Sequence, residues 1–257
     1  MSRPFQYWEP WSHRGFMVRW LRYCEAAMPD VARLSPFACH VVGAAMLNSL
    51  LNVVLEEHPR PHPATFYASL VGPTLSGKGT LLEAVETWLA EYNRHRQMMN
   101  REGVTVLKGP ATAAGLRDAL ATKVFVKGEK GKREWRELPA KGPTFLIWPR
   151  MTPDKWTATL VEFLEEAYYA RSHGQQRITK GARVVVDGGT YTLTFLCDSH
   201  PERWREVLRR LEGEFGLRRR ILDVVMGGRV LSQGLGPPDY HACLLYTSDA
   251  ADDGESV

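Results

Sequence analysis

The chain has 257 residues, of which 44% are hydrophobic and 24% charged, and 33 Lys and Arg against 29 Asp and Glu give a net charge of +4. This length accommodates one large domain or two small ones. The high apolar fraction and small net charge exclude disorder over most of the chain, and its apolar runs are too short to span a bilayer. The start of the chain lacks a signal-peptide layout, and the four scattered cysteines have neither CxxC nor zinc-site spacing. We therefore expect a reduced, cytoplasmic protein with no membrane partner.

The last fifteen residues, 243–257, differ in composition from the rest of the chain. Their string CLLYTSDAADD resembles the in-frame translation of a transposase-type sequencing-library adaptor. We therefore expect 243–257 to be a non-native tail and the core before it to be C-terminally truncated; a natural acidic tail is the alternative. The tail holds four acidic residues and no basic one, so 1–242 carries 33 basic and 25 acidic residues, a net charge of +8. That excess favours a polyanionic partner.

Residues 1–63 are predicted to form an N-terminal helical segment and a linker. Apolar residues recur at helical spacing over 15–28. A second helix is predicted over 37–57, after a serine cap and a first-turn proline at 35–36. The proline-rich tract 58–63 is expected to be an extended connector.

From residue 64 onward strands and helices alternate, which predicts an α/β core over 64–242 with a mainly parallel sheet. The predicted strands are 64–71, 104–107, 144–149, 183–187, 191–198 and 219–226. The predicted helices are 80–96, 112–122, 153–171 and 202–212. Two hairpins are also predicted, a basic one over 124–138 and one in which an Asp-Gly-Gly turn joins 183–187 to 191–198.

The loop after the first core strand carries the most specific motif of the chain. It fits GxxxxGK, follows an apolar strand and opens a helix, the context that a phosphate-binding loop (P-loop) requires. Glycines let successive backbone N–H groups converge on a phosphate, and the helix N-terminus adds a positive dipole end. Lys78 is placed to reach the β- and γ-phosphates, while the usual hydroxyl after it is displaced to Thr80. We expect nucleotide binding by the whole loop: Gly72, Pro73, Thr74, Leu75, Ser76, Gly77, Lys78, Gly79 and Thr80.

In these features the chain resembles P-loop ATPases of the AAA+/RecA-like kind, a primase-associated, helicase-like group found in phages, plasmids and other mobile elements. The likeness spans about residues 35–230 and rests on the loop at 72–80, the segment 104–116, and the segments 193–204 and 215–225. It implies a P-loop NTPase core and a nucleic-acid-dependent ATPase that is helicase-like or replication-associated. It further implies ATP and Mg²⁺ as cofactors, DNA as a partner and assembly as a homo-oligomer.

The chain departs from this group at the Walker B position. There the third core strand should end in Asp-Glu, the Asp serving Mg²⁺ and the Glu orienting the attacking water, but the segment 144–150 has no carboxylate. Asp198 can substitute if its strand lies beside the loop strand, and Glu162 or Glu165 can substitute from the following helix. A strand-end cap and a solvated helix face are the structural alternatives. We take Asp198 as a candidate catalytic residue and, with Thr80, as a candidate metal ligand.

Two basic features are further candidate sites. The resemblance implies that the triplet at 218–220 supplies an arginine finger, Arg219, to a neighbour's γ-phosphate; a solvated basic turn is the alternative. The basic hairpin is a candidate nucleic-acid contact in which a base stacks on Trp135; an edge hairpin guarded by lysines is the alternative. The basic residues assigned to that contact are Lys130, Lys132 and Arg133.

Two other functions stay open at this point. The GKGT ending of the loop and the Trp-Pro-Arg at 148–150 resemble nucleoside-monophosphate kinases, which implies a phosphotransferase. The missing Walker B pair instead suggests an ATP-binding subunit with little or no hydrolysis.

Overall fold

The computed structural model describes residues 13–51, 54–55, 62–63, 65–109, 112–127, 133–139, 141–169, 183–186, 191–211 and 215–227. The expected tail at 243–257 and most of the connector at 58–63 lie outside these ranges. The helical start of the chain is confirmed as α1 (His13–Ala27), α2 (Pro29–Leu34) and α3 (Pro36–Leu51). Helix α3 ends six residues earlier than predicted, and β1 (Val54–Leu55) pairs antiparallel with β2 (His62–Pro63).

The remaining elements alternate between strand and helix. In chain order they are β3 (Phe66–Val71), α4 (Lys78–Met98), β4 (Thr105–Lys108), α5 (Ala113–Leu120), β5 (Lys123–Lys127), β6 (Arg133–Glu137), β7 (Gly142–Trp148), a 3₁₀ turn (Pro153–Lys155), α6 (Ala158–Tyr168), β8 (Arg183–Val185), β9 (Tyr191–Ser199), α7 (Pro201–Leu211), α8 (Phe215–Arg218) and β10 (Ile221–Val225). None of the helices in the described ranges is both long and apolar enough to cross a membrane.

Five strands form the main sheet in the order β10-β3-β9-β7-β4. Every neighbouring pair in it is parallel. Strand β9 is buried at eight of its nine positions and β3 at five of its six, as expected for central strands covered on both faces. The predicted α/β class with a mainly parallel sheet is therefore confirmed.

The chain reverses its direction of travel through this sheet once. From β3 it crosses through α4 to β4 at the far edge, and it then returns through α5 to β7, α6 to β9 and α7 to β10. Because parallel crossovers are right-handed, a reversal moves the connecting helices to the other face. Accordingly α4 packs in one hydrophobic core, and α5, α6 and α7 pack in a second one on the opposite face. The loops after β3 and β9 thus diverge, and the carboxyl ends of strands at such a point are where open parallel sheets bind ligands.

The helices before β3 share the core of the face that α4 covers. Trp20 of α1 is fully buried, and its indole N–H donates to the main-chain oxygen of Cys39 in α3 at 2.7 Å. Ser49 Oγ of α3 donates to Thr194 Oγ1 of β9 at 2.7 Å, and Asn48 Nδ2 lies 3.2 Å from the same oxygen. The N-terminal helices are therefore joined to the middle of the sheet by buried polar contacts as well as by apolar packing.

A second, antiparallel sheet has the order β6-β5-β8. Its β5–β6 pair confirms the predicted basic hairpin. The predicted hairpin between 183–187 and 191–198 is wrong, because β8 pairs with β5 while β9 enters the parallel sheet between β3 and β7. The Asp-Gly-Gly pattern favours a local turn, but β9 is far more apolar than an exposed hairpin strand. Burial of β9 in the parallel sheet therefore decides its pairing.

Candidate functional site

The loop after β3 follows a tight path into the N-terminus of α4. Gly77, the residue that precedes α4, has a φ of 84°, a left-handed conformation that glycine adopts without steric cost. A Cβ on Gly72 would lie 2.5 Å from Ser76 Oγ and 2.9 Å from the main-chain oxygen of Met226. The path of the loop therefore requires glycine at both positions. Gly79 differs, because a Cβ on it would meet nothing within 4 Å.

Lys78 begins α4, and its side chain folds back into this loop. Its Nζ donates to the main-chain oxygens of Gly72 at 2.6 Å and Pro73 at 2.8 Å and to Ser76 Oγ at 3.2 Å. These contacts use all three N–H bonds of an ammonium group. Burial lowers the pKa of Lys78, and the negative charge of Asp198 opposes that shift. The cation is therefore held at the centre of the loop.

Asp198 lies on β9, the strand beside β3, which precedes the loop. This is the placement that Asp198 needs in order to substitute for the missing Walker B carboxylate. It is the register partner of Leu70, two residues before the loop begins. Its Oδ1 accepts the backbone N–H of Arg150 at 2.6 Å, and its main-chain oxygen accepts the N–H of Met151 at 2.7 Å. Burial raises the pKa of Asp198, whereas the Arg150 hydrogen bond and the charges of Lys78 and Arg150 lower it.

The end of β7 brings no carboxylate to the loop. Trp148 is buried there and is followed by exposed Pro149 and Arg150. Of the two glutamates considered as substitutes, Glu165 lies 3.4 Å from Arg220 Nη1 and is thereby engaged at the other end of α6, while Glu162 is exposed on the same helix. The structure thus brings Asp198 close to Lys78 and leaves Glu165 in a structural ion pair.

The arginine triplet lies at the amino ends of the parallel strands, whereas the loop lies at their carboxyl ends. It precedes the amino end of β10, whereas the loop follows the carboxyl end of the parallel neighbour β3, about 16 Å away along five residues of strand. Arg218 pairs with Asp223 at 2.8 Å, and Arg220 pairs with Glu165 and lies over the ring of Tyr169 at 4.7 Å. Arg219 is exposed, and no ion pair engages it in the described part of the chain. Arg219 is therefore not brought together with the loop of its own chain.

The basic hairpin lies in the three-stranded sheet. Trp135 is 44% exposed, and its ring centroid lies 5.0 Å from that of Phe125, its register partner on β5. Arg183 of β8 is the register partner of Phe125 on the other side. Arg133 belongs to β6, and the candidate residues Lys130 and Lys132 lie outside the described ranges.

Two other features of the described residues bear on where a metal or ligand could bind. No cluster of three or more His, Cys, Asp or Glu in them is arranged to hold a metal ion. A cavity of about 470 Å³ lies at the amino end of β4, lined by Asn93, Gln97, Arg101, Thr105 and Lys141 among others. Asn93 there is already bonded to both main-chain groups of Val104, at 2.7 and 2.8 Å. The cavity therefore belongs to the helix–strand connection.

Comparison with known proteins adds no family to this description. No protein-family model matches the chain, and no curated protein matches it significantly. The fold and the site define an α/β protein with a five-stranded parallel sheet and a glycine-rich loop, closed on a lysine, at the carboxyl ends of its strands.

Proposed function

We propose that the protein binds ATP at the loop 72–80 and hydrolyses it. The observation that carries this proposal is the placement of Lys78 and Asp198 at the carboxyl ends of adjacent strands, where the chain reverses direction through the sheet. A basic group for the phosphates and a carboxylate for the reaction thereby lie at one edge. The P-loop NTPase core implied by the sequence is part of this proposal.

The residues at this edge fit a Mg²⁺ ion. Mg²⁺ in nucleotide sites is held by one or two oxygen side chains together with substrate phosphates and waters. Asp198 uses Oδ1 for the Arg150 amide, and within the described residues its Oδ2 has no hydrogen bond. Thr80 supplies a hydroxyl one residue later than usual, at a half-buried position in the first turn of α4. Asp198 and Thr80 would hold the ion, which when bound neutralises charge on the β- and γ-phosphates.

The reaction is transfer of the γ-phosphoryl group to water. Lys78 exchanges its contacts with Gly72 and Pro73 for β- and γ-phosphate oxygens, while the loop N–H groups surround the phosphates. The water oxygen bonds to the γ-phosphorus and one water proton passes to a γ-phosphate oxygen. The bond between the γ-phosphorus and the bridging oxygen breaks, and ADP and phosphate leave. Because Asp198 is engaged near the phosphates and no glutamate among the described residues lies beside it, orientation of the attacking water is poor. We therefore expect slow basal turnover.

The position of Arg219 supports a homo-oligomer. Arg219 lies at the amino ends of the strands, and the loop of the same chain lies at their carboxyl ends. Arg219 can therefore reach a γ-phosphate only in a neighbouring copy. An arginine supplied in trans stabilises transition-state charge and accelerates phosphoryl transfer strongly. Such an arrangement compensates for the slow basal turnover of a single chain.

The three-stranded sheet supports a nucleic-acid partner, DNA by preference. It combines exposed Trp135, packed on half-buried Phe125, with a basic composition, and residues 1–242 carry a net charge of +8. A base stacked on an exposed aromatic ring contributes about 1–3 kcal/mol, and basic side chains follow the phosphates. Single-stranded DNA on this sheet is the partner that fits an ATPase of the helicase-like kind.

ATP hydrolysis measured with and without single-stranded DNA tests the proposal. We expect hydrolysis that DNA stimulates and that Lys78→Ala abolishes. Lys108→Ala is the matched control, since Lys108 is exposed and pairs with Glu86 on the surface, and it should leave the activity unchanged. Trp135→Ala should remove the stimulation by DNA and spare the basal rate. Phosphate transfer to AMP in place of hydrolysis would overturn the proposal in favour of a monophosphate kinase.

A second candidate function is ATP binding with little or no turnover. It is favoured by one observation, the absence of a carboxylate at the end of β7, where Trp148 is buried against the second core. Tight ATP binding that Lys78→Ala abolishes, together with no hydrolysis at any protein or DNA concentration, would establish it.

A further inference from the structure

Arg150 has a backbone conformation that arginine seldom adopts. Its φ is 53°, and it lies two residues after β7, at the carboxyl ends of the strands, where the loop also lies. A left-handed conformation is costly for a residue with a long side chain and persists when surrounding contacts enforce it. Such residues cluster at functional sites. The contacts that hold the Arg150 backbone and the exposure of its side chain therefore bear on its function.

Asp198 holds this backbone in place. Its Oδ1 accepts the Arg150 N–H at 2.6 Å, and its main-chain oxygen accepts the Met151 N–H at 2.7 Å. Ser199 Oγ donates to the main-chain oxygen of Met151 at 2.8 Å. Three contacts from the end of β9 thus fix the turn after β7, and this turn presents the Arg150 side chain to solvent.

The side chain is free to bind an anion at this edge. It is exposed, and it makes no hydrogen bond or ion pair with any described residue. Strand β7 is two strands from β3, about 10 Å between strand axes. That gap is suited to a triphosphate held between a lysine on one side and a long arginine on the other.

The charges at the strand ends form a row across three strands. Lys78 follows β3, Asp198 lies at the carboxyl end of β9 and Arg150 follows β7, and Asp198 Oδ1 lies 2.6 Å from the backbone nitrogen of Arg150. One carboxylate between two cations leaves a net positive charge where the phosphates of a nucleotide would lie. A second cation supplied by the same chain therefore accompanies the loop lysine.

We propose that Arg150 binds the terminal phosphate of ATP in its own chain, from the β7 side, opposite Lys78. This inference rests on the proposed function and adds a second phosphate-binding cation to the site. A guanidinium stays charged and offers a planar pair of donors to phosphate oxygens. Because it addresses the terminal phosphate, Arg150 distinguishes ATP from ADP and stabilises the charge that develops on the transferred group. Arg150 is in this sense a catalytic residue.

Calorimetric titration of ATP and ADP into Arg150 variants tests the inference. Loss of a charge-assisted contact in Arg150→Ala should weaken ATP binding about 10- to 100-fold and change ADP binding less than about twofold. Arg150→Lys should recover part of the loss. Arg150→Gly removes the side chain while accommodating the φ of 53°, so it should keep the thermal stability of the wild type and show the same selective loss. Arg209→Ala, an exposed arginine on α7, should change neither affinity.

The outcomes separate this inference from the proposed function. If Lys78→Ala abolishes binding while Arg150→Ala and Arg150→Gly bind ATP and ADP as the wild type does, the inference is wrong and the proposed function stands. Equal weakening of ATP and ADP by Arg150→Gly likewise overturns it, since the contact is then not with the terminal phosphate. If the wild type binds neither nucleotide, the proposed function fails and this inference fails with it.

Discussion

Lys78 Nζ lies 2.6 Å from the main-chain oxygen of Gly72, the first residue of the loop that the lysine closes. The ammonium group therefore holds the loop in the shape that we propose to bind phosphate. A bound phosphate would take over these contacts. The shape also depends on Gly72, which has no room for a Cβ, and this makes it testable by substitutions outside the lysine.

Gly72→Ala should disrupt the loop, and Gly79→Ala should not. A Cβ on Gly72 would meet Ser76 Oγ at 2.5 Å and the Met226 backbone at 2.9 Å, so the free energy of unfolding should fall by about 1–3 kcal/mol. Gly79 has open space and lies in the first turn of a helix, where alanine should be neutral or stabilising by up to about 1 kcal/mol. Urea unfolding and ATP titration of both variants measure this, and equal losses would contradict the loop geometry.

Thr80 should carry the hydroxyl function that usually lies directly after the lysine. Thr80→Ala is expected to weaken Mg²⁺-dependent ATP binding about tenfold, the loss of one charge-assisted contact. Because Gly79 has room for a side chain, Gly79→Ser in the Thr80→Ala background should recover part of the affinity. The measurement is ATP titration with Mg²⁺ and with EDTA. A Thr80→Ala defect that persists unchanged in EDTA would separate Thr80 from the metal.

Arg219 and Lys78 should complement each other between chains. Arg219→Ala is expected to bind ATP normally and to hydrolyse it at least tenfold more slowly, and Lys78→Ala is expected to be inactive. A mixture of the two should recover activity, because wild-type Arg219 of one chain then faces an intact loop of another. Hydrolysis followed across protein concentrations measures this. A mixture no more active than its components would place the arginine outside the reaction.

The Ser49–Thr194 hydrogen bond should contribute to the attachment of α3. Thr194→Val leaves the buried Ser49 hydroxyl without its 2.7 Å partner, so unfolding should become easier by about 1–3 kcal/mol. The double variant Ser49→Ala/Thr194→Val removes both groups and should be more stable than the sum of the single losses predicts. The double-mutant cycle should give a coupling of about 0.5–1.5 kcal/mol by urea unfolding. Strict additivity would show that the contact is absent in solution.

The sequence was sufficient for those parts of the fold that local chemistry determines. Helix α4, the loop before it and the β5–β6 hairpin are predicted from apolar spacing, glycine positions and turn residues. All three are present in the structure. Strand order is different, because it depends on contacts between residues far apart in sequence. The sequence therefore predicts a role for Asp198 only on the condition that its strand lies beside β3. It also predicts β9 as a hairpin strand, whereas β9 is a central strand of the parallel sheet.

Two features of the site had no counterpart in sequence patterns. The left-handed conformation of Arg150 results from hydrogen bonds to Asp198, 48 residues away, and arginine itself gives no indication of it. The ion pair between Glu165 and Arg220 likewise joins residues 55 apart and removes from the site a glutamate that the sequence offered to it. Both are consequences of packing between elements that no local pattern encodes.

The strand order also fixes when during synthesis the site can form. Strand β3 is made early, but its two neighbours in the sheet, β9 and β10, are the last strands to be made in the described part of the chain. A nascent chain that ends before Tyr191 contains the complete loop and lacks every strand that pairs with β3. Because such distant pairings form slowly and late, the proposed ATP site can form only after β9 and β10 have been made. Nucleotide bound at the proposed site would then stabilise the folded sheet by mass action without trapping earlier intermediates.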